Sequence, residues 1–228
     1  MMEQNRKTWN ENQKEFQRLL SPSGDFRAAI PLFLSQHAAV HSAQLSRVGL
    51  WSFPDEILQG LADPDLRRIP PGGEHSIAWV LWHLARIEDV TMNILVAGRP
   101  QLYYEENWFT QMKFLSSETG NALDQAGIAS LSSCLDLEAL HAYRLAVGRR
   151  TQLVVKALHP DDLQRRVPPS RLDQVLAEGA VVESTRSLLD YWSKRTIAGL
   201  LLMPPTRHNF LHLNEASHIR QKIIRSGV

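Results

Sequence analysis

The chain has 228 residues, of which 43% are hydrophobic and 21% charged. This is an ordinary composition for a globular protein that buries a sizeable core. Its 25 basic and 24 acidic side chains give a formal net charge of +1. Such a balance provides no field that would draw in nucleic acid or an anionic membrane, so we expect neither as a partner.

The lone cysteine, Cys134, excludes an internal disulfide and suits a reducing compartment. Residues 1–21 are polar throughout and show no signal-peptide pattern. The most apolar run, residues 197–203, is too short to span a bilayer. These features predict a cytoplasmic protein.

Hydrophobic periodicity predicts an all-α fold of four or five long helices joined by long covering loops. Alternating apolar runs, which would indicate strands, are essentially missing. Residues 1–24 are predicted to be a polar extension that packs on the outside or frays, and residues 25–228 to be the helical domain. The predicted helices are 7–20, 26–50, 55–61, 74–97, 108–115, 137–158, 181–203 and 206–222. Residues 101–135 and 161–179 are predicted to be irregular connections.

Two prolines, Pro204 and Pro205, are predicted to end one helix, and Thr206 to cap the next. In that last helix His208 and His212 are four residues apart, so both imidazoles can face one metal ion. The facing partner we predict is His83, which lies mid-helix between apolar neighbours. The alternative is a core histidine bonded to Glu215 or to a backbone carbonyl.

Several other side chains are candidates for the same site. Glu215, one turn after His212, can be a fourth ligand, a general base or the carboxylate that orients a ligating histidine. Arg86 and Arg207 are either helix-surface ion pairs or, if buried near the site, holders of an anionic substrate group. His37 and His41 form a second pair at four-residue spacing.

Two segments resemble the DinB/YfiT-like superfamily. Residues 75–84 (HSIAWVLWHL) resemble its second helix, and residues 212–221 (HLNEASHIRQ) are similar to its closing metal helix. The resemblance implies an up-down four-helix bundle, often a homodimer, that holds a divalent ion such as zinc or nickel. One ligand comes from the second helix and two from the last. Some members are thiol-dependent transferases, others are hydrolases, and many have no known activity.

Carried onto this chain, the resemblance places a ligand at His83 and leaves two registers for the last helix. Alignment on Gln221 selects Asn214 and His218, whereas a shifted register selects His208 and His212. We favour His208 and His212, with His218 as the substitute.

The predicted function is therefore a metal-dependent enzyme acting on a small molecule, with Glu215 as base or orienter. The alternative is a non-catalytic dimeric bundle with a degenerate site and no metal, which the asparagine at position 214 favours. A DNA-binding role, suggested by the family's damage-inducible name, conflicts with the balanced charge.

Overall fold

A computed structural model describes residues 2–46 and 49–226. Within these ranges all regular elements are helical, apart from one isolated antiparallel bridge between Arg166 and Thr196, which confirms the all-α prediction. Among the described helices, none has the length and apolar character needed to cross a membrane. The α-helices are α1 (Met2–Leu19), α2 (Phe26–His41), α3 (Phe53–Leu58), α4 (Asp63–Arg67), α5 (Ile77–Asp89), α6 (Leu102–Glu105), α7 (Trp108–Gln111), α8 (Gln125–Cys134), α9 (Leu137–Lys156), α10 (Pro169–Ala177), α11 (Ser187–Ser193), α12 (Ile197–Leu202) and α13 (Asn209–Ser226).

Helix α5 is the centre of the molecule, and every one of its residues is buried. The Ser76 hydroxyl caps it by accepting a hydrogen bond from the Trp79 N–H at 3.0 Å. A π-helical segment, Val90–Ala97, continues the helix until Gly98, whose φ of +64° only glycine adopts readily. Helices α9 and α13 pack against α5. The prediction of a long buried helix ending at Gly98 is confirmed.

The N-terminal helix α1 packs against the core through its apolar side. Trp9 is 2% exposed and stacks on Phe210 of α13, with ring centroids 4.2 Å apart. The Trp9 Nε1–H donates to the Gln36 carbonyl at 3.0 Å, which ties α1 to α2. Helix α1 is thus held against α2, the next helix in the chain, and against α13, the last one. The division into residues 1–24 and 25–228 stays a prediction.

Helix α2 is shorter than predicted. It ends at His41 because Ser42 is extended, with φ −166° and ψ 144°, and its side chain caps the 3₁₀ turn Ala43–Leu45. Residues 47 and 48, at the end of the predicted helix, lie outside the described residues.

The predicted helix over residues 181–203 is wrong, because that stretch contains two helices, α11 and α12. The break falls where the Thr196 hydroxyl accepts a hydrogen bond from the Gly199 N–H and starts α12. The two predicted connections are also more regular than expected. Short helices α6, α7 and α8 lie in the first of them, and α10 lies in the second.

The prediction that Pro204 and Pro205 end a helix is wrong. A π-helical segment, Met203–His208, carries the chain from α12 into α13 without a break. Prolines have no N–H to donate, so carbonyls one turn earlier need other donors. The Thr206 hydroxyl donates to the Leu201 carbonyl at 2.9 Å, and the Gln13 amide of α1 donates to that hydroxyl at 3.0 Å. Thr206 is therefore an internal residue of this helix, not the cap of a new one.

Candidate metal centre

His83 is positioned by the helix that carries it and by a loop that covers it. Its Nδ1 lies 2.6 Å from the Thr119 carbonyl oxygen, and its Nε2 lies 3.3 Å from the His208 Nε2. Because a carbonyl only accepts hydrogen bonds, Nδ1 carries the proton and Nε2 keeps a free lone pair. The His83 ring also stacks on Trp79, with centroids 4.8 Å apart, which fixes its plane.

The π-helical segment and the first turn of α13 bring His208 and His212 to the same point. One ligand atom from each of His83, His208 and His212 lies within 4.8 Å of the other two. We call these three residues the His83 cluster. The structure thus brings together the three ligands that the shifted register of the last helix predicts, His83, His208 and His212.

Glu215 supports the His83 cluster from the side. Its carboxylate accepts from the His212 Nδ1 at 2.8 Å and lies 2.5 Å from the His75 Nδ1. Burial alone would raise the pKa of Glu215, but the two histidines outweigh it and lower that pKa to about 2. A carboxylate with so low a pKa is a weak base at neutral pH. The geometry therefore fits the orienting role better than that of general base.

Two residues of the His83 cluster have the protonation state that a metal requires. Burial and the nearby His212 lower the pKa of His83 to about 3, and burial lowers the pKa of His208 well below its usual value. Both of these imidazoles are neutral at neutral pH, and neutral imidazole is the ligating form. The buried Nδ1 of His208 has no hydrogen-bond partner among the described residues. Three imidazole nitrogens are a suitable donor set for zinc or nickel, so these residues fit a divalent ion.

The substitute ligand of the other register lies elsewhere. His218 is exposed and lines a cavity of about 420 Å³ that His75 and Glu215 also line. The Asn214 side chain accepts a hydrogen bond from Arg6 at 2.9 Å. Neither residue belongs to the His83 cluster.

The two arginines predicted to bind substrate are engaged with other parts of the protein. Arg86 is fully buried, and its guanidinium donates to Gln101 and to the Ser117 carbonyl, each at 2.7 Å. Arg207 donates to Asn10 of α1 at 2.6 Å. A substrate-binding role for Arg86 or Arg207 stays a prediction that these contacts do not support.

Sequence reasoning missed the loop residues that hold His83. Thr119 acts through its backbone carbonyl, which leaves no mark in a sequence. Gly120 has a φ of +100°, and a Cβ there would lie 3.0 Å from the Trp82 ring and 3.2 Å from the His83 Nδ1. Only a glycine at position 120 allows this close approach without strain.

Comparison with known proteins agrees with this geometry. The family model for the DinB superfamily matches residues 54–215, a range that includes His83, His208 and His212. No curated protein matches the chain. The match covers most of the chain and all three residues of the cluster, and the chain therefore belongs to the DinB superfamily.

Proposed function

We propose that this protein is a divalent-metal-dependent enzyme that acts on a small molecule, either as a hydrolase or as a thiol-dependent transferase. The observation that carries the proposal is the convergence of His83, His208 and His212, with their ligand atoms within 4.8 Å of one another. Three protein ligands leave a coordination position for a reactant. A zinc or nickel ion at this point would make a bound water or thiol more acidic.

The protein's own contribution is to orient the three imidazoles. The Thr119 carbonyl fixes the His83 tautomer, and Glu215 does the same for His212. Trp79 is stacked between His75 and His83, and its ring is nearly parallel to both. We propose that the substrate approaches through the cavity of about 420 Å³ that His75, Glu215 and His218 line.

The bundle arrangement is part of the same proposal. Contacts join α5 to α9, α9 to α2, α2 to α13 and α13 back to α5. Each of these four helices therefore contacts two of the others, and together they form a closed ring. This ring supports the predicted four-helix bundle. We also propose that the protein is a homodimer and is located in the cytoplasm.

One distance also favours the non-catalytic alternative. At 3.3 Å, the Nε2 atoms of His83 and His208 are close enough for one imidazole to donate a hydrogen bond to the other, with no metal present. Metal content by mass spectrometry, on protein purified without a histidine tag and then incubated with zinc or nickel, separates the two. Bound metal that depends on His83 supports the enzyme. If neither zinc nor nickel is bound after incubation, the result supports the non-catalytic bundle with a degenerate site.

Replacing Gly120 by alanine is expected to weaken zinc binding. The new Cβ meets the His83 and Trp82 rings, and a φ of +100° is strained for alanine, so the Thr119 carbonyl shifts away from His83. Loss of an outer-shell partner costs about 10–100-fold in metal affinity. A competition titration between the protein and a zinc chelator measures the change.

The matched control for this prediction is Gly72→Ala. Gly72 has a φ of +67°, but no atom lies within 4 Å of its added Cβ. Gly72→Ala introduces the same kind of backbone strain without any contact to the metal centre, so it should leave zinc affinity unchanged. Equal affinity in the two variants would contradict the role assigned to Thr119.

Replacing Glu215 by glutamine is expected to lower zinc affinity by about 10–100-fold. A glutamine can accept from only one of His75 and His212 through its oxygen, and it presents its NH₂ group to the other. Glu74→Gln, an exposed change at the same cavity, is the control. Unchanged zinc affinity with lost activity would instead indicate that Glu215 acts as a base.

A further inference from the structure

A second group of metal-ligand side chains is buried away from the His83 cluster. It consists of His37 and His41 of α2 and Glu88 of α5, which we call the Glu88 cluster. One ligand atom of each lies within 4.8 Å of the others, and none of the three residues is more than 3% exposed. Such deeply buried polar groups require partners, because leaving them unpaired costs free energy.

The partners inside the Glu88 cluster are incomplete. His37 Nε2 lies 2.8 Å from Glu88 Oε1, which is a full hydrogen bond, but His41 Nε2 lies 3.9 Å from Glu88 Oε2, which is too far for one. The His41 Nδ1 is also buried without a hydrogen-bond partner among the residues the structure describes. Among the described residues, the His41 ring therefore has one buried nitrogen without a partner and another beyond hydrogen-bonding distance of Glu88.

A fourth polar side chain meets the same carboxylate. The Asn209 amide nitrogen donates to Glu88 Oε2 at 3.0 Å, while its buried amide oxygen has no hydrogen-bond partner in the described ranges. The same amide nitrogen also donates to the Pro205 carbonyl at 3.3 Å. These two contacts fix the orientation of the amide, so Asn209 positions the Glu88 carboxylate and is not counted among the metal ligands.

We infer that the Glu88 cluster is a second site for a divalent transition metal, separate from the His83 cluster and held by His37, His41 and Glu88. Two ligand atoms on one zinc ion, each about 2.0–2.2 Å from it, lie roughly 3–4 Å apart. The observed separations of 2.8 and 3.9 Å are close to that range. Two imidazoles and one carboxylate suit zinc, iron(II) or manganese.

The surroundings of the Glu88 carboxylate suit a cation. The carboxylate faces two imidazoles of α2 and the uncharged amide of Asn209. The nearby Arg144 donates to the carbonyls of Leu81 and His41, so it does not occupy the carboxylate.

The surroundings also leave room for His41 and a path to it. Gly148 of α9 lies so close that an added Cβ would be 2.5 Å from the Leu45 side chain and 2.9 Å from the His41 ring. A cavity of about 210 Å³, lined by His41, Asp55 and His141 among others, reaches the cluster from outside. Since the cluster itself is closed to solvent, the ion would be structural and would link α2 to α5.

The test counts zinc ions in the full chain. Metal-free protein is refolded from denaturant in excess zinc, so that the buried cluster is open when the ion arrives, then desalted and analysed by mass spectrometry. We expect two ions per chain in the wild type, one in Glu88→Gln and one in His83→Ala. The exposed change Glu183→Gln is the control for Glu88→Gln and should keep both ions.

Gly148→Ala tests the cluster without removing a ligand. Alanine is the better helix former, so a lost ion traces to crowding of His41 and Leu45 by the new Cβ and not to a weaker helix. A zinc-dependent rise in the unfolding temperature should remain in His83→Ala and disappear in Glu88→Gln.

The outcomes separate this inference from the proposed function. One ion in the wild type that Glu88→Gln retains and His83→Ala loses would overturn the second site alone. One ion that His83→Ala retains and Glu88→Gln loses would overturn the proposed function alone. Two ions retained in Glu88→Gln and in Gly148→Ala would also reject the second site.

Discussion

The His83→Ala protein is expected to lose the ion held by the His83 cluster, and with it any metal-dependent activity, while staying helical. The change leaves two imidazoles where three converged and also frees the Thr119 carbonyl. Since loss of an outer-shell partner already costs about 10–100-fold in metal affinity, loss of a ligand should cost at least about 100-fold. Zinc affinity by chelator competition measures this loss, and circular dichroism measures helix content.

His218→Ala is the matched control for that experiment. It also removes one histidine, but from the exposed face of α13. It should keep the wild-type zinc affinity. Because His83 is a ligand in both registers, loss of the ion in His218→Ala as well as in His83→Ala would indicate that the other register of the last helix is the correct one.

Replacing Arg86 by leucine is expected to destabilise the protein by about 3–5 kcal/mol, because removing one partner of a buried ion pair leaves the other charge uncompensated. Arg86 lies 4.0 Å from Asp89, and the Tyr143 hydroxyl bridges them by donating to Asp89 at 2.7 Å. The guanidinium also lies over the Tyr103 ring, 3.6 Å from its centroid. Urea unfolding measures the loss.

The control for Arg86→Leu is Arg186→Leu, which breaks an exposed pair with Glu183. A surface change of this kind alters stability by no more than about 0.5 kcal/mol. If Arg86 were mainly a substrate-binding residue, Arg86→Leu would be as stable as Arg186→Leu, and only its affinity for the substrate would fall. Arg86 also donates to Ser117, in the loop that carries Thr119, so its loss should weaken zinc binding as well.

The parts of the site that sequence predicted are those that depend on helical spacing alone. A step of four residues places His208 and His212 on one side of a helix, and apolar neighbours place His83 in the centre of another. The structure also shows His75, Trp79 and His83, at four-residue steps, in one stack. These relationships are local, so they hold whatever the rest of the chain does.

The remaining features depend on contacts that a linear pattern does not contain. A tandem proline normally ends a helix, but here the Thr206 hydroxyl supplies a donor to the Leu201 carbonyl, which Pro205 cannot serve. Gln13, about 190 residues earlier in the chain, donates to that hydroxyl and holds it in place. The four-residue spacing of His37 and His41 predicts that both face one side of α2, but it does not identify Glu88 of α5 as the residue they meet. In each case a tertiary partner decided between two locally acceptable outcomes.

The separation of 125 residues between His83 and His208 also has a consequence in time. At about 5–20 residues per second, a ribosome adds that length of chain in roughly 6–25 s. During that interval neither His208 nor His212 has been made, whereas His37, His41 and Glu88 are all in the chain soon after His83. The proposed Glu88 cluster therefore has its full set of ligand residues well before the His83 cluster does.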